Sequence, residues 1–98
     1  MKYEVHIRSV AEIDIKEAAN WYEKHRKGLG DEFLDEVLGA FETISDNPYI
    51  YAVVHRQTRR ALIHRFPFAI YYRIEEWSII VVTVMHGSRH PKRWQERI

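Results

Sequence analysis

Polar and apolar residues alternate from Lys2 to Arg8, with Tyr3, Val5 and Ile7 on one side and Lys2, Glu4, His6 and Arg8 on the other. A period of two is that of a half-buried strand. The period then changes. Ser9-Val10-Ala11-Glu12 matches a capping box, and Ala11, Ile15, Ala18, Ala19 and Tyr22 recur at helical spacing. This predicts a helix over about 10–27. Trp21 lies off the stripe; it is expected to pack on the neighbouring helix or rim the core, with anchoring of a partner as the alternative. Gly28-Leu29-Gly30 stops the helix, and Asp31 is placed to cap the next. Phe33, Val37, Phe41 and Ile44 form its stripe, with Leu34 and Leu38 beside it, and Asp46-Asn47-Pro48 ends it. Two helices joined by so short a turn form an antiparallel hairpin.

The second half reads differently. Tyr49 to Thr58 is expected to be a loop or irregular edge, and Arg59 to Phe66 a strand whose imperfect alternation leaves its inward face undecided. Phe68–Ile74 and Ile79–Met85 are two apolar runs separated by Glu75-Glu76-Trp77-Ser78, the pattern of a β-hairpin. In the first run Ile70, Tyr72 and Ile74 face the helices, which leaves Tyr71 and Arg73 on the open face. The second run is apolar on both faces and belongs at the centre of a sheet. Its neighbours are the hairpin partner and the N-terminal strand. The predicted architecture is α+β, in the order β-α-α-β-β-β. A helical hairpin packs on one face of a four-stranded, mainly antiparallel sheet, as one domain over residues 1–98.

Composition narrows the chemistry. The chain has 98 residues, 46% of them apolar and 30% charged, which is globular. It has no cysteine, so disulfides and thiolate metal sites are excluded. The longest apolar run is too short for a bilayer, and the N-terminus lacks the apolar core of a signal peptide, so a cytoplasmic location is expected. The net charge of +1 hides an asymmetry: residues 1–49 carry six Lys/Arg and eleven Asp/Glu, residues 50–98 nine and three. Such a split points to an anionic target or acidic partner for the C-terminal half. Eight of these nine form the candidate cationic set, Arg59, Arg60, Arg65, Arg73, Arg89, Lys92, Arg93 and Arg97, with His64, His86 and His90 beside them. Neighbouring strands and a tail are expected to converge them on one sheet edge, with Trp94 and Tyr71 available for stacking. His86 and His90 stand four apart, but Gly87 and Pro91 oppose a helix there, and no carboxylate completes a metal site. Histidine with arginine remains the one credible catalytic pairing, a proton shuttle beside a phosphate clamp.

Several segments in this order resemble the RelE/ParE superfamily of bacterial toxins. They are Ala18-Ala19-Asn20-Trp21-Tyr22-Glu23, Gly28-Leu29-Gly30-Asp31-Glu32-Phe33, Asn47-Pro48, Arg59-Arg60, Phe66-Pro67-Phe68-Ala69-Ile70-Tyr71-Tyr72 and His86-Gly87-Ser88-Arg89. The resemblance spans nearly the whole chain. It implies a toxin of a type II toxin–antitoxin (plasmid stabilisation) system that arrests growth. It also implies an operon-encoded antitoxin whose C-terminal segment wraps the toxin, and contact with operator DNA only through that antitoxin. RelE-like members cut messenger RNA in the ribosome without a metal; ParE-like members poison DNA gyrase. The nucleases tend to carry an Arg where this chain has Phe68, and a terminal Tyr or His-Tyr pair where the closest residues here are Trp94 and His86. The phrase from Phe66 to Tyr72 is more similar to the ParE side.

The reading implied is a gyrase inhibitor whose target-binding surface is Arg59, Arg60, Tyr71, Arg73, Arg89, Arg93 and Trp94. Arg89, Arg93 and Trp94 are expected to be free of the core. The alternative is a ribosome-dependent mRNA interferase, drawing on Arg65, Arg73, His86, Arg89 and His90. A further alternative is a non-catalytic partner that co-represses its operon with the antitoxin. No cofactor or metal is implied in any case.

Overall fold

The computed structural model describes residues 2–88 and 91–97. In chain order the elements are β1 (Glu4–Ile7), α1 (Ser9–His25), α2 (Leu29–Asp46), β2 (Val53–His55), β3 (Thr58–Leu62), β4 (Phe68–Glu75), β5 (Ser78–His86) and a short α3 (Pro91–Gln95). The strands form one sheet in the order β1-β5-β4-β3-β2. Every pairing is antiparallel except β1 with β5, which is parallel with Val5 beside Ile79. The expected α+β architecture is therefore present, with five strands in place of four. The added strand is β2, in the stretch read as a loop. It is three residues long and pairs through a register shift with β3, too short to give a periodic signal. Among the described residues no helix is long and apolar enough to cross a membrane.

Central placement of β5 follows from its sequence. Ile79, Val81, Val82, Thr83 and Val84 are all buried. A bulge opposite Tyr71/Tyr72 leaves Val82 without a partner: Tyr71 lies beside Thr83 and Tyr72 beside Val81. On the helix-facing side Ile70, Tyr72, Ile79, Val81 and Val84 pack with Ala11, Ile15, Phe33, Val37 and Ile44. At one end of that core the rings of Tyr22, Phe33 and Phe66 meet at centroid distances of 4.8–5.3 Å. The undecided face of β3 is resolved by Ala61 and Ile63, which join this core. The strand stops at Leu62, four residues earlier than predicted. Ile63 N–H closes a turn onto Phe68 O at 2.9 Å, and Arg65 takes a left-handed φ of 71°.

Two helix starts differ from the sequence reading. Ser9 is not a cap. Arg8 is the N-cap residue and makes no side-chain cap bond. Its N–H donates to Val81 O, and its carbonyl accepts from Glu12 N–H, so β1 runs directly into α1. Helix α2 begins at Leu29, two residues before Asp31, and its cap comes from the preceding helix. Glu23 turns its carboxylate back over the reversal: Oε2 accepts from Gly28 N–H and Oε1 from Gly30 N–H, each at 3.0 Å. These satisfy donors that a helix start otherwise leaves orphaned. Gly28, at φ 88°, supplies the reversal without a Cβ penalty.

Close packing of the hairpin rests on Gly30. A Cβ there would stand 2.6 Å from the Ala19 carbonyl oxygen and 3.0 Å from Glu23 Oε1, whereas a Cβ on Gly39 would meet nothing within 4 Å. Gly30→Ala should force α1 and α2 apart and cost about 1–3 kcal/mol. Gly39→Ala, on the exposed side of the same helix, should stabilise by about 0.5–1 kcal/mol. Urea midpoints measured on the two variants should move in opposite directions.

Candidate functional site

β1 ends at Ile7, beside Val81, while β5 continues to His86. Among the described residues, the edge of β5 past Val81 therefore has no strand alongside it. Asp14 of α1 reaches across this gap. Its Oδ2 accepts from Val84 N–H at 3.1 Å and from Thr83 Oγ1–H at 2.7 Å. Arg97 Nη1 donates to both Asp14 oxygens at 2.7 Å and to Thr83 Oγ1 at 2.9 Å. Arg8 Nη1 donates to the Arg97 carbonyl at 2.9 Å, which ties the C-terminal segment to the start of α1. A carboxylate carrying this many charge-assisted donors is fixed in place.

Between α1 and the same edge of β5 lies an open groove of about 1050 Å³, lined by residues that include Asp14, Trp21, Phe68, His86 and Arg93. Trp21 stands on its rim at 56% exposure. Its ring stacks on His25 of the same helix at 3.8 Å and meets the edge of Tyr22 at 5.1 Å. His25 Nδ1–H donates to Trp21 O at 2.8 Å. On the other wall His86 Nδ1 accepts from Ser88 N–H at 3.2 Å and from Ser88 Oγ–H at 2.7 Å. A neutral ring with Nδ1 so engaged carries its proton on Nε2.

The sheet face away from α1 and α2 was expected to be open, and it is covered. Trp94 of α3 stacks on Tyr71 at 4.8 Å and 19°, and the two join Ala69 and Met85 in a second small core. Tyr71 is 1% exposed and Trp94 6%. Neither belongs to an accessible target-binding surface in this structure, and Trp94 is not free of the core. The reason is local: a sheet face carrying Ala69, Tyr71 and Met85 is apolar, and α3 is the element that buries it. Arg60 lies over Tyr71, with Cζ 5.9 Å from the ring centroid, and Nη2 donates to Gly87 O at 3.5 Å. Its buried Nε has no hydrogen-bond partner among the described residues.

The remaining cations do not converge on one edge. Arg59 Nη1 donates to Tyr51 O at 2.6 Å and holds the segment before β2. Arg65 Nη2 pairs with Glu32 Oε1 at 2.7 Å, and His64 Nδ1 lies 3.2 Å from Glu36, so both are drawn to α2. Arg73 is ion-paired to Glu75. Arg93 is exposed on the groove. Arg89, named for both the binding surface and the nuclease alternative, and His90, named for the nuclease alternative, lie outside the described residues. Arg73 and His86 are far apart. His86 stands beside Phe68 and meets its ring at 5.5 Å on the helix side, while Arg73 shares the opposite face with Tyr71. Five residues of strand between Phe68 and Arg73 add a separation of roughly 17 Å along the sheet.

Asp14 was missed in the sequence because a helical Asp between two isoleucines carries no periodic signal. Its partner Arg97 was read as one more surface cation.

The helical hairpin on one face of a mixed sheet defines a fold with known relatives. The chain matches the model of the ParE toxin of the type II toxin–antitoxin system parDE over residues 5–91, and it belongs to that family. Two solved structures are similar in fold. The chromosomal ParDE toxin–antitoxin system of P. aeruginosa matches with a TM-score of 0.72 at 12% identity, over 87% of this chain and 96% of that one. The toxin–antitoxin complex RelBE2 of Mycobacterium tuberculosis matches with a TM-score of 0.62 at 20% identity, over 88% of this chain and 99% of that one. No curated protein sequence matches.

Two outcomes follow from the charge contacts. Asp14→Asn weakens the Arg97 pair and should free residues 91–97. Trp94 fluorescence should shift to the red, amide exchange in β5 near Val84 should speed up, and stability should fall by roughly 2 kcal/mol, between surface and buried ion-pair values. The second concerns pH. The Arg65 hydrogen bond holds the Glu32 carboxyl below its ordinary value against partial desolvation, and the charges of Arg26 and Arg65 add to this. A depressed carboxyl contributes stability that is complete above its unfolded pKa, about 4.3, and is lost as pH falls through the lower folded value. In acid titrations Glu32→Gln should lose that part of the pH dependence, while wild type and variant converge at the acid end.

Proposed function

We propose that this ParE-family toxin arrests growth by binding DNA gyrase as a protein target, in the cytoplasm, and that a cognate antitoxin neutralises it. The observation that carries this reading is the separation of Arg65, Arg73 and His86, the candidate nuclease groups among the described residues. Cutting RNA without a metal needs a base, a donor to the charged phosphorane and an acid around one phosphate. Arg73 and His86 occupy opposite faces of the sheet, Arg65 is drawn to Glu32, and His86 presents Nδ1 to Ser88. One phosphate cannot meet all three. A protein target makes no such demand, since exposed anchors on a rigid frame suffice.

Exposed Trp21 and Arg93 on the groove, with Arg89 beyond the described residues, are the side chains proposed to make target or antitoxin contacts. The antitoxin is supported by the two structural relatives, which are themselves toxin–antitoxin systems. An antitoxin would also carry the contact with operator DNA, and plasmid stabilisation would follow from the toxin–antitoxin pair.

The deciding measurement sets the purified chain against gyrase with supercoiled plasmid, beside ribosomes programmed with messenger RNA. Trapped or cleaved plasmid with intact transcripts is expected, and Trp21→Ala with Arg93→Ala should lower potency about tenfold or more while circular dichroism stays unchanged. Codon-specific cleavage in the ribosomal reaction, with gyrase unaffected, would replace this reading with an mRNA interferase.

A further inference from the structure

At the end of β5 remote from His86, three aromatic rings gather at the surface. Tyr3 lies 5.3 Å from Trp77 at 38° and 6.5 Å from Tyr49 at 72°. Backbone bonds hold the group in place. Tyr3 N–H donates to Ser45 O at 2.9 Å, Ser45 Oγ–H donates to Tyr3 O at 2.6 Å, and Glu4 N–H donates to Trp77 O at 3.0 Å. Trp77 occupies the two-residue turn between β4 and β5 and is 61% exposed; Tyr49 is 57% exposed. Tyr3 alone of the three packs against the main core, so the outer rings do not owe their place to burial.

The surroundings are acidic on balance. Glu42 and Asp46 flank Lys2 at 3.9 and 3.7 Å, Glu75 and Glu76 precede Trp77, and Glu4 follows Tyr3. These carboxylates outnumber the nearby cations Lys2, Arg59 and Arg73. Ring faces draw cations through their quadrupole, and adjacent carboxylates strengthen that attraction. One such contact is already built: Arg59 Cζ sits 5.1 Å from the Tyr49 ring centroid. We propose that Tyr3, Tyr49 and Trp77, with their acidic rim, form a docking surface for an arginine-bearing segment of a protein partner. Arginine is favoured over lysine because its planar guanidinium stacks on rings, as Arg59 does here. The surface is independent of the groove between α1 and β5 and of the reading that gyrase is the target.

The test uses the isotopically labelled full chain, titrated with a short Gly/Ser peptide bearing two arginines and with the same peptide bearing two citrullines, which keep the shape and remove the charge. The arginine peptide should move the Trp77 indole signal and the amides of Tyr3 and Tyr49 in a saturable way, and the citrulline peptide should not. Trp77→Leu and, as a second variant outside the turn, Tyr49→Leu should each weaken binding roughly fivefold or more. Trp21→Leu, at an equally exposed ring on α1, should leave it unchanged. Equal responses to both peptides, shifts mapping away from Trp77, or no binding at millimolar peptide would overturn the proposal. Concentration-dependent shifts at Trp77 with dimer mass and no peptide would also overturn it, by making a second copy of the chain the occupant.

Discussion

The structure depends on keeping one strand dry. β5 buries residues on both of its faces, and a strand of that kind needs cover on four sides. The helical hairpin covers one face. The C-terminal segment covers the other, through the contact of Trp94 with Tyr71. β4 runs along one edge and β1 along the first part of the second. Where β1 runs out, a side chain takes over: Asp14 offers Val84 N–H the acceptor that a neighbouring strand would otherwise supply. The bulge at Val82 belongs to the same solution, because it lets Thr83 face Asp14 and Arg97 while Val81 and Val84 stay in the core.

That arrangement changes what the basic half of the chain means. Its arginines look in sequence like a surface prepared for an anion. In the folded protein Arg59, Arg65, Arg73 and Arg97 each have an oxygen of this same chain as partner. Two of them join distant segments: Arg65 fastens the β3–β4 turn to α2, and Arg97 fastens the C-terminal segment to α1. At these two pairs the opposite net charges of the two halves serve intramolecular attraction. What is left for a partner is more selective, namely the exposed rings of Trp21, Tyr49 and Trp77 and the groove beside β5.

Much of the fold was legible because it is written in periods. Alternation from Lys2 to Arg8, the Phe33–Ile44 stripe and the two apolar runs around Glu75-Glu76 each specify an element and its buried face. The doubly apolar run from Ile79 even placed β1 beside β5. What escaped is aperiodic. β2 is three residues of edge strand, the α2 cap is a carboxylate five residues upstream of Gly28, and the cover for Tyr71 is a single tryptophan twenty-three positions away. The candidate site was less legible than the fold for the same reason. Sequence shows which side chains can carry charge, but not which of them a neighbouring backbone or carboxylate has already engaged.

The pairing of Glu4 with Ser78 joins positions 74 residues apart in the chain. Such a contact is strongly non-local, and loop-closure entropy makes non-local pairing slow to form. The α1–α2 hairpin needs only its own residues and can form early. The sheet cannot close until β5, next to last in the order of elements, has been synthesised. During translation the chain therefore exists for most of its length as an amphipathic hairpin with no sheet to cover. Neither the groove beside β5 nor the strapped face exists in that state. A chain of this design completes its surface only after β5 has been made.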